Sequence, residues 1–356
     1  MHDILIISKP DDIHARAVRR GLERLGHDVC IWFCEHFPAA QHQSLTLDAG
    51  GSPRLLIQEN GDSSTLEPGA IRSVWMRRGR IPAAPDLLHP DDKAFADREL
   101  SFYQRGLWAA LAPDGFWVNP YYCGRRADSK ILQLGEARRA GLAIPETLIS
   151  NSPDQIRSFL DTHSSDGVIY KPFAVTDWRE DDGRILGTLT TVVAEDSLPD
   201  DDMLAATPNI FQRRIPKAYE VRLTIMGGHA VAVKIDSQAH PEGDVDWRNI
   251  FATEFPLEEI ALPAKVLHAC RTIMKSLGLV FGCIDLIVTP DNDVIFLEVN
   301  EMGQWLWIEA HLPEICLLDA FCRFLISGDC DFAYSRPDNP LKFNDFIDGK
   351  SKVEDV

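Results

Sequence analysis

The chain has 356 residues, 45% of them hydrophobic and 25% charged, and a formal net charge of -18 at pH 7. That length holds two or three domains with a sizeable core. So acidic a surface does not suit a phosphate backbone, which argues against a nucleic-acid partner, and no apolar run is long enough to span a membrane. The start, MHDILIISKP, turns at once into a strand pattern. It lacks the basic opening and long apolar centre of a signal peptide, so the chain is read as cytoplasmic. The eight cysteines form no C-x-x-C pair. Cys30, Cys270, Cys283, Cys316 and Cys322 sit in apolar contexts and read as reduced core residues.

In chain order, DILIIS (3–8) predicts a strand and Ile13, Ala17 and Leu25 keep a helical spacing after it. DVCIWF (28–33) predicts a second strand. This βαβ opening has no G-x-G-x-x-G after its first strand, so a dinucleotide fingerprint is absent. Strands at 54–58 and 73–76, a proline-rich loop at 81–90 and a helix at 91–111 complete an N-terminal part, residues 1–118. The central part, 119–207, holds a helix from Ser129-Lys130 to Gly141, a short strand in IPETLIS, a helix at 153–162 and a buried strand in GVIYKPF (167–173). The acidic, glycine-containing segment near 177–193 predicts a mobile hairpin or lid, and the acidic run 200–202 reads as a loop. The third part, 208–330, opens with the strand NIFQRRIP. YEVRLTIM and HAVAVKID then form a hairpin through Gly227-Gly228. A helix at 262–277 is capped by Gly278, and the last helix is placed at 312–327. Residues 331–356 read as a polar, partly disordered tail.

The most informative stretch is IDLIVTPDNDVIFLEVNEMGQWLW (284–307). Two apolar runs flank the turn Asp291-Asn292-Asp293, so the stretch predicts a hairpin. Glu298 and Asn300 share a strand face, and the hairpin brings Asp285 beside them. Two carboxylates and an amide oxygen at one point suit Mg²⁺ and, through it, nucleotide phosphates. Ile284, Leu286, Ile295, Leu297 and Val299 leave little solvated surface, so buried acids there call for a cation.

Lys130 and Lys171 stand in apolar surroundings and suit phosphate contacts. After the strand in IFQRRIP, the backbone of Gln212, Arg213, Arg214 and Ile215 can pair with an adenine edge. Glu220 suits ribose hydroxyls. Arg222, on the same face as Glu220, and Arg248 suit a γ-phosphate or a developing oxyanion. A two-residue turn at Gly227-Gly228 sets Val221 opposite Lys234 and Tyr219 opposite Asp236. That register sends Lys234 and Asp236 to the sheet face away from Glu220 and Arg222.

The order K…YKP…FQ-x-x-I-P-x-x-x-E-x-R…DWR…GCIDL…FLEVN resembles the ATP-grasp ligases over residues 119–330. IDSQ (235–238), DWR (246–248), GQWLW, VWMRR (74–78) and WVNP (117–120) are similar to the microviridin-type peptide maturases, or graspetide ligases. One departure is Glu301-Met302, where that family more often has a proline and a small or polar residue.

The resemblance implies an α/β ATP-grasp fold behind an N-terminal βαβ-type domain, with ATP and Mg²⁺ as cofactors. Lys130 and Lys171 would contact the α- and β-phosphates, Gln212 and the following backbone adenine, and Glu220 the ribose. Arg248 and Asn249 would lie on the phosphate side, and Asp285, Glu298 and Asn300 would be the metal ligands. The partner would be a ribosomal precursor peptide, leader plus core. Asp236 would orient its core, Asp246 and Lys234 are further candidates to meet it, and the hairpin near 177–193 would dock its leader. A homodimer is also implied. Asp or Glu side chains would be activated as acyl phosphates and closed into ester or amide macrocycles. Two other readings stay open: a ligase that adds amino acids to a small molecule or protein terminus, and a non-catalytic ATP-binding peptide escort.

Overall fold

A computed structural model describes residues 3–49, 53–174, 177–179, 185–187, 190–240 and 256–346. The chain opens with β1 (Ile4–Ser8), α1 (Ile13–Arg24) and β2 (Val29–Phe33). Asp12 caps α1, accepting the N–H of Ala15 at 3.2 Å, as a helix N-terminus needs. Then follow β3 (Gln41–Thr46), β4 (Arg54–Glu59), β5 (Asp62–Leu66), β6 (Ser73–Met76), α2 (Pro90–Leu111) and β7 (Phe116–Val118). β2, β1, β6 and β7 form a parallel sheet in that order, and β3, β4 and β5 a separate antiparallel one. β3 and β5, QHQSLT and DSSTL, escaped the sequence reading. They are short, polar and largely exposed, so they lack the apolar alternation that marks a strand.

The middle of the chain runs α3 (Tyr121–Ala127), α4 (Lys130–Arg139), β8 (Thr147–Ser150), α5 (Pro153–Thr162), β9 (Val168–Lys171), β10 (Asp177–Arg179), β11 (Ile185–Gly187), β12 (Thr191–Val193), α6 (Asp201–Ala206) and β13 (Asn209–Arg213). The central sheet has the order β12-β9-β13-β8, and β10 pairs with β11 as a hairpin. Three readings change here. β13, grouped with the third part by sequence, is an inner strand of the central sheet. The acidic run 200–202 starts a helix instead of a loop: Asp200 accepts the N–H of Met203 at 3.0 Å. Acids at a helix start both cap it and suit its dipole. β9, expected to be buried, buries only Val168 and leaves Ile169, Tyr170 and Lys171 half-buried.

The rest comprises β14 (Tyr219–Met226), β15 (His229–Ile235), β16 (Leu257–Ile260), α7 (Ala264–Leu277), β17 (Phe281–Val288), β18 (Val294–Asn300), α8 (Leu306–His311) and α9 (Leu317–Ser327). Their antiparallel sheet has the order β16-β15-β14-β17-β18. Val221, Leu223, Ile225, Ile284 and Leu286 pack with Ile273, Met274 and Leu277 of α7. On the other side, Val231, Val233 and Ile235 join a core with α1 and α9 that ties this sheet to the N-terminal part.

The tail differs most from expectation. Phe332, Leu341 and Phe343 are buried in that second core. Glu309 accepts the N–H groups of Leu318 and Phe343 at 2.6 and 2.8 Å, and Asp319 accepts those of Leu341 at 3.0 Å and the Tyr334 hydroxyl at 2.8 Å. The β14–β15 turn lies against the same strap: a Cβ on Gly228 would stand 2.8 Å from the Asp331 carbonyl oxygen. Residues 331–346 are thus a docked strap rather than a loose tail, and 347–356 lie outside the described residues. Among the described residues, no helix is long and apolar enough to cross a membrane.

Candidate active site on the polar face of the C-terminal sheet

The alternation of β14 sends Val221, Leu223 and Ile225 toward α7 and Glu220, Arg222 and Thr224 to the opposite face. These three polar residues are buried, so each needs partners. Arg222 lies opposite Asp285 of β17. Its Nη1 donates to Oδ1 at 2.9 Å and Oδ2 at 2.8 Å, and its Nη2 donates to the Gln304 carbonyl at 3.2 Å. Burial disfavours the charge on Arg222, but Asp285 more than offsets this and raises the guanidinium pKa above its ordinary value.

Asp285 faces Glu298 across the hairpin, and Asn300 follows on the same face. The register skips Leu297: Asp285 pairs with Glu298, but Leu286 pairs with Phe296. This bulge turns Phe296 into the core while Glu298 keeps facing the site. Of the apolar residues named from sequence, Ile284, Leu286 and Val299 are buried, whereas Ile295 and Leu297 are half-buried. Lys130, the first residue of α4, donates to Glu298 Oε2 at 2.7 Å. Arg222 and Lys130 therefore offset both acids, and burial alone does not demand a metal here. Asn300 Oδ1 accepts the N–H groups of Met302 and Gly303 at 3.1 and 2.9 Å, which engages both of its lone pairs.

Among the described residues no three His, Cys, Asp or Glu side chains are grouped for a metal ion. The set here is two facing carboxylates and an amide. Its hard oxygens fit Mg²⁺, with Asn300 joining by releasing one of its N–H donors.

Glu220 and Arg222 do not pair with each other. Glu220 Oε1 accepts from Lys217 Nζ at 2.6 Å and Ser237 Oγ at 2.9 Å, and burial raises its pKa. Lys217 was not singled out in the sequence, although its three-residue spacing from Glu220 was visible. On the central sheet, Lys171 faces Ile210 and Gln212 faces Ile169, so Lys171 and Gln212 share one face. Gln212 donates Nε2 to Thr147 Oγ1 at 3.0 Å, while its buried Oε1 has no partner among the described residues.

The expected base-reading backbone is partly committed. The N–H groups of Arg213 and Arg214 bond the carbonyls of Glu146 and Gly167, both at 2.9 Å. The Arg213 side chain reaches Asp166 at 3.2 Å. Ile215, two residues beyond β13, lies past the ladder.

Lys234 lies opposite Val221 and stands 5.0 Å from the centre of the Tyr219 ring, away from the Arg222 face. Asp236 follows β15 and opens a tight turn, its carbonyl accepting the N–H of Ala239 at 3.2 Å. Asp246, Arg248 and Asn249 lie outside the described residues.

Two residues not singled out as functional meet this site, Arg77 from the N-terminal part and Asn119 from the start of the central part: Arg77 donates to the carbonyls of Met302 and Gly303, and Asn119 to that of Glu301. Asn119 Oδ1 also accepts the N–H groups of Val280 and Phe281 at 2.9 and 3.1 Å, fixing the start of β17. The signal was present, since both residues lie in the quoted motifs VWMRR and WVNP. Glu301 lines a cleft with Asp128, Arg125 and Tyr121, and its pKa is pushed up to about 7 by burial and by the Asp128 carboxylate.

No family model matches the sequence, and no curated protein matches it. Solved structures do. Macrocyclase MdnC of Microcystis aeruginosa MRC, bound with precursor peptide MdnA, is 28% identical at a TM-score of 0.78, covering 92% of this chain and 99% of that one. A RiPP-associated ATP-grasp ligase of Chryseobacterium gregarium, in complex with ADP and a leader and core peptide, is 25% identical at 0.81, covering 92% and 98%. Macrocyclase MdnB of M. aeruginosa MRC is 25% identical at 0.75, covering 92% and 99%. The chain has the ATP-grasp ligase fold and is similar over 92% of its length to RiPP-associated ligases, the group its sequence motifs resemble.

Proposed function

We propose that this chain is an ATP-dependent ligase that activates Asp or Glu side chains of a ribosomal precursor peptide and closes them into ester or amide macrocycles. The observation that carries this is the facing pair Asp285–Glu298, each acid half-buried and held by a basic side chain. The chain's similarity to a RiPP-associated ATP-grasp ligase in complex with ADP and a leader and core peptide supports the substrate class.

A substrate carboxylate attacks the γ-phosphorus of ATP; the new O–P bond forms as the bond to ADP breaks. A Ser or Thr hydroxyl, or a Lys amine, then attacks the acyl carbon; the acyl C–O bond to phosphate breaks, and the nucleophile's proton leaves with the phosphate. Lys171 and Lys130 are assigned to the phosphates. The unpartnered Gln212 Oε1 suits an adenine amino group, Ile215 the base edge, and Glu220 the ribose. Asp285, Glu298 and Asn300 would hold Mg²⁺, which when bound spreads the charge of the separating phosphates. Arg222, committed to Asp285 and the Gln304 carbonyl, keeps that acid aimed, so the developing oxyanion falls to Arg248, with Asn249 beside it. Asp246 and Asp236 remain candidates to meet the core peptide.

The hairpin β10–β11 is proposed to dock the leader by strand addition at its edge. Deleting 179–186 is expected to weaken leader binding in calorimetry and leave ATP binding in place; unchanged leader affinity removes the docking role.

The test of the whole reading is incubation with ATP and a candidate precursor peptide encoded beside the gene. ADP release together with loss of one water mass per bond supports macrocyclisation. A gain of mass points to amino-acid addition, and peptide binding without ADP points to an escort.

A further inference from the structure

The loop that follows Asn300 is held almost group by group, by Arg77 and His14 of the N-terminal part and by Asn119, the first residue of the central part. The Glu301 carbonyl accepts from Asn119 Nδ2 at 2.8 Å, and the Met302 carbonyl from Arg77 Nη1 at 2.6 Å. The Gly303 carbonyl takes the same Arg77 nitrogen. The N–H groups of Trp305 and Leu306 donate to His14 Nε2 at 3.1 and 3.2 Å. Burial holds the His14 pKa well below the ordinary imidazole range, which keeps that nitrogen an acceptor. Arg77 is 1% exposed, and its Nε lies 3.2 Å from Asp12 Oδ2, an oxygen shared with Arg78 at 3.2 Å and with the Ser8 hydroxyl at 3.1 Å.

The residues held this way are the ones that aim the site. Met302 and Gly303, whose carbonyls Arg77 grips, give their N–H groups to Asn300. Gln304, next along, gives its carbonyl to Arg222. The loop also has no slack: at Gly303, φ is +57° and a Cβ would stand 2.6 Å from Phe281 Cζ.

We propose that Arg77 is a positioning residue of the metal site, acting from the N-terminal part through the 302–304 backbone on Asn300 and Arg222. This rests on the metal reading above. For Asn300 to turn an oxygen lone pair to a metal, it must release an N–H of Met302 or Gly303. Arg77 then keeps those residues, and with them Gln304 and Arg222, in place. A guanidinium does this and an ammonium does not, because Nη1 serves the two carbonyls while Nε stays in ion-pair range of Asp12, and one ammonium nitrogen cannot stand in both places.

The test is Mn²⁺ binding, read from its paramagnetic resonance signal, to the full chain with ADP present. Arg77→Lys is expected to weaken Mn²⁺ binding about tenfold, the usual scale for groups that orient ligands, with ADP affinity in the absence of metal unchanged. Asp12→Asn loosens Arg77 without removing it and is expected to weaken Mn²⁺ binding about threefold. Wild-type Mn²⁺ affinity in Arg77→Lys, alongside weak binding in Glu298→Gln, overturns the positioning role and leaves the metal reading standing. Mn²⁺ binding that Glu298→Gln does not change overturns both. Should Arg77→Lys fail to fold, Asp12→Asn decides, and wild-type Mn²⁺ affinity there overturns the proposal.

Discussion

Two pairs of acids sit in the C-terminal third, both embedded in apolar sequence, and they are satisfied in opposite ways. Asp285 and Glu298 are met by the side-chain ends of Arg222 and Lys130. Glu309 and Asp319 are met mainly by backbone N–H groups, from Leu318, Phe343 and Leu341, with Tyr334 and Arg323 adding side-chain donors to Asp319. The first arrangement can yield one of its partners, the part-exposed Lys130, to a bound ion or phosphate at small cost, while the buried Arg222 stays with Asp285. The second cannot, because its donors are the fold itself. A buried acid is therefore not a metal signal by itself; the kind of donor that answers it decides.

The sharpest way to break this comparison is to remove one acid from each pair. Glu298→Ala is expected to cut peptide-dependent ADP release roughly a hundredfold or more. Its ion pair with Lys130 is about a quarter exposed on each side, at 26% and 26%, so the loss in unfolding stability should stay below about 1 kcal/mol. Normal turnover would remove Glu298 from the metal site. Asp319→Ala should do the reverse. It strands the Leu341 N–H and the Tyr334 hydroxyl, costing on the order of 3 kcal/mol in urea unfolding, while turnover per folded molecule is kept. A variant as stable as wild type would show that the strap does not depend on that acid.

Leu341→Ala tests the strap through packing rather than charge. Leu341 is 5% exposed, in one core with Leu318 and Val18. A loss of about 2 to 3 kcal/mol is expected. A loss under about 0.5 kcal/mol would mean the strap lies on the core without stabilising it.

Much of the site was legible because it is written on strands. Period-two alternation put Glu220 and Arg222 on one face, and the Gly227-Gly228 turn put Val221 opposite Lys234. Less legible was who answers each charge. Glu220–Lys217 is a local pair, but Glu298–Lys130 and Arg77 with Met302 join residues far apart in sequence, and no local pattern announces them. The Leu297 bulge was equally silent, since VIFLEVN reads as a plain alternating strand. The strap was misread because composition was weighed over position. Its few apolar residues, Phe332, Leu341 and Phe343, are the ones that dock, and polar residues between them need only stay in water.

Stability as a function of pH probes the second pair through Glu309. Glu309 is 1% exposed, and its pKa is raised to about 7 from 4.5. Burial is the main cause, and it outweighs the two backbone N–H groups that favour the carboxylate. A carboxyl with a raised pKa binds its proton more tightly folded than unfolded. Its contribution is thus full below the unfolded value and is lost as pH climbs through the folded one. Between about pH 5 and pH 7 the wild type should lose about 2 kcal/mol from this group. Glu309→Gln, which cannot titrate, should be destabilised at every pH, because its amide nitrogen meets a backbone N–H. The gap between the two proteins should therefore narrow as pH rises across that window. Parallel stability curves in urea unfolding at several pH values would show that Glu309 titrates alike in both states, and that its two backbone donors, rather than burial, set its charge.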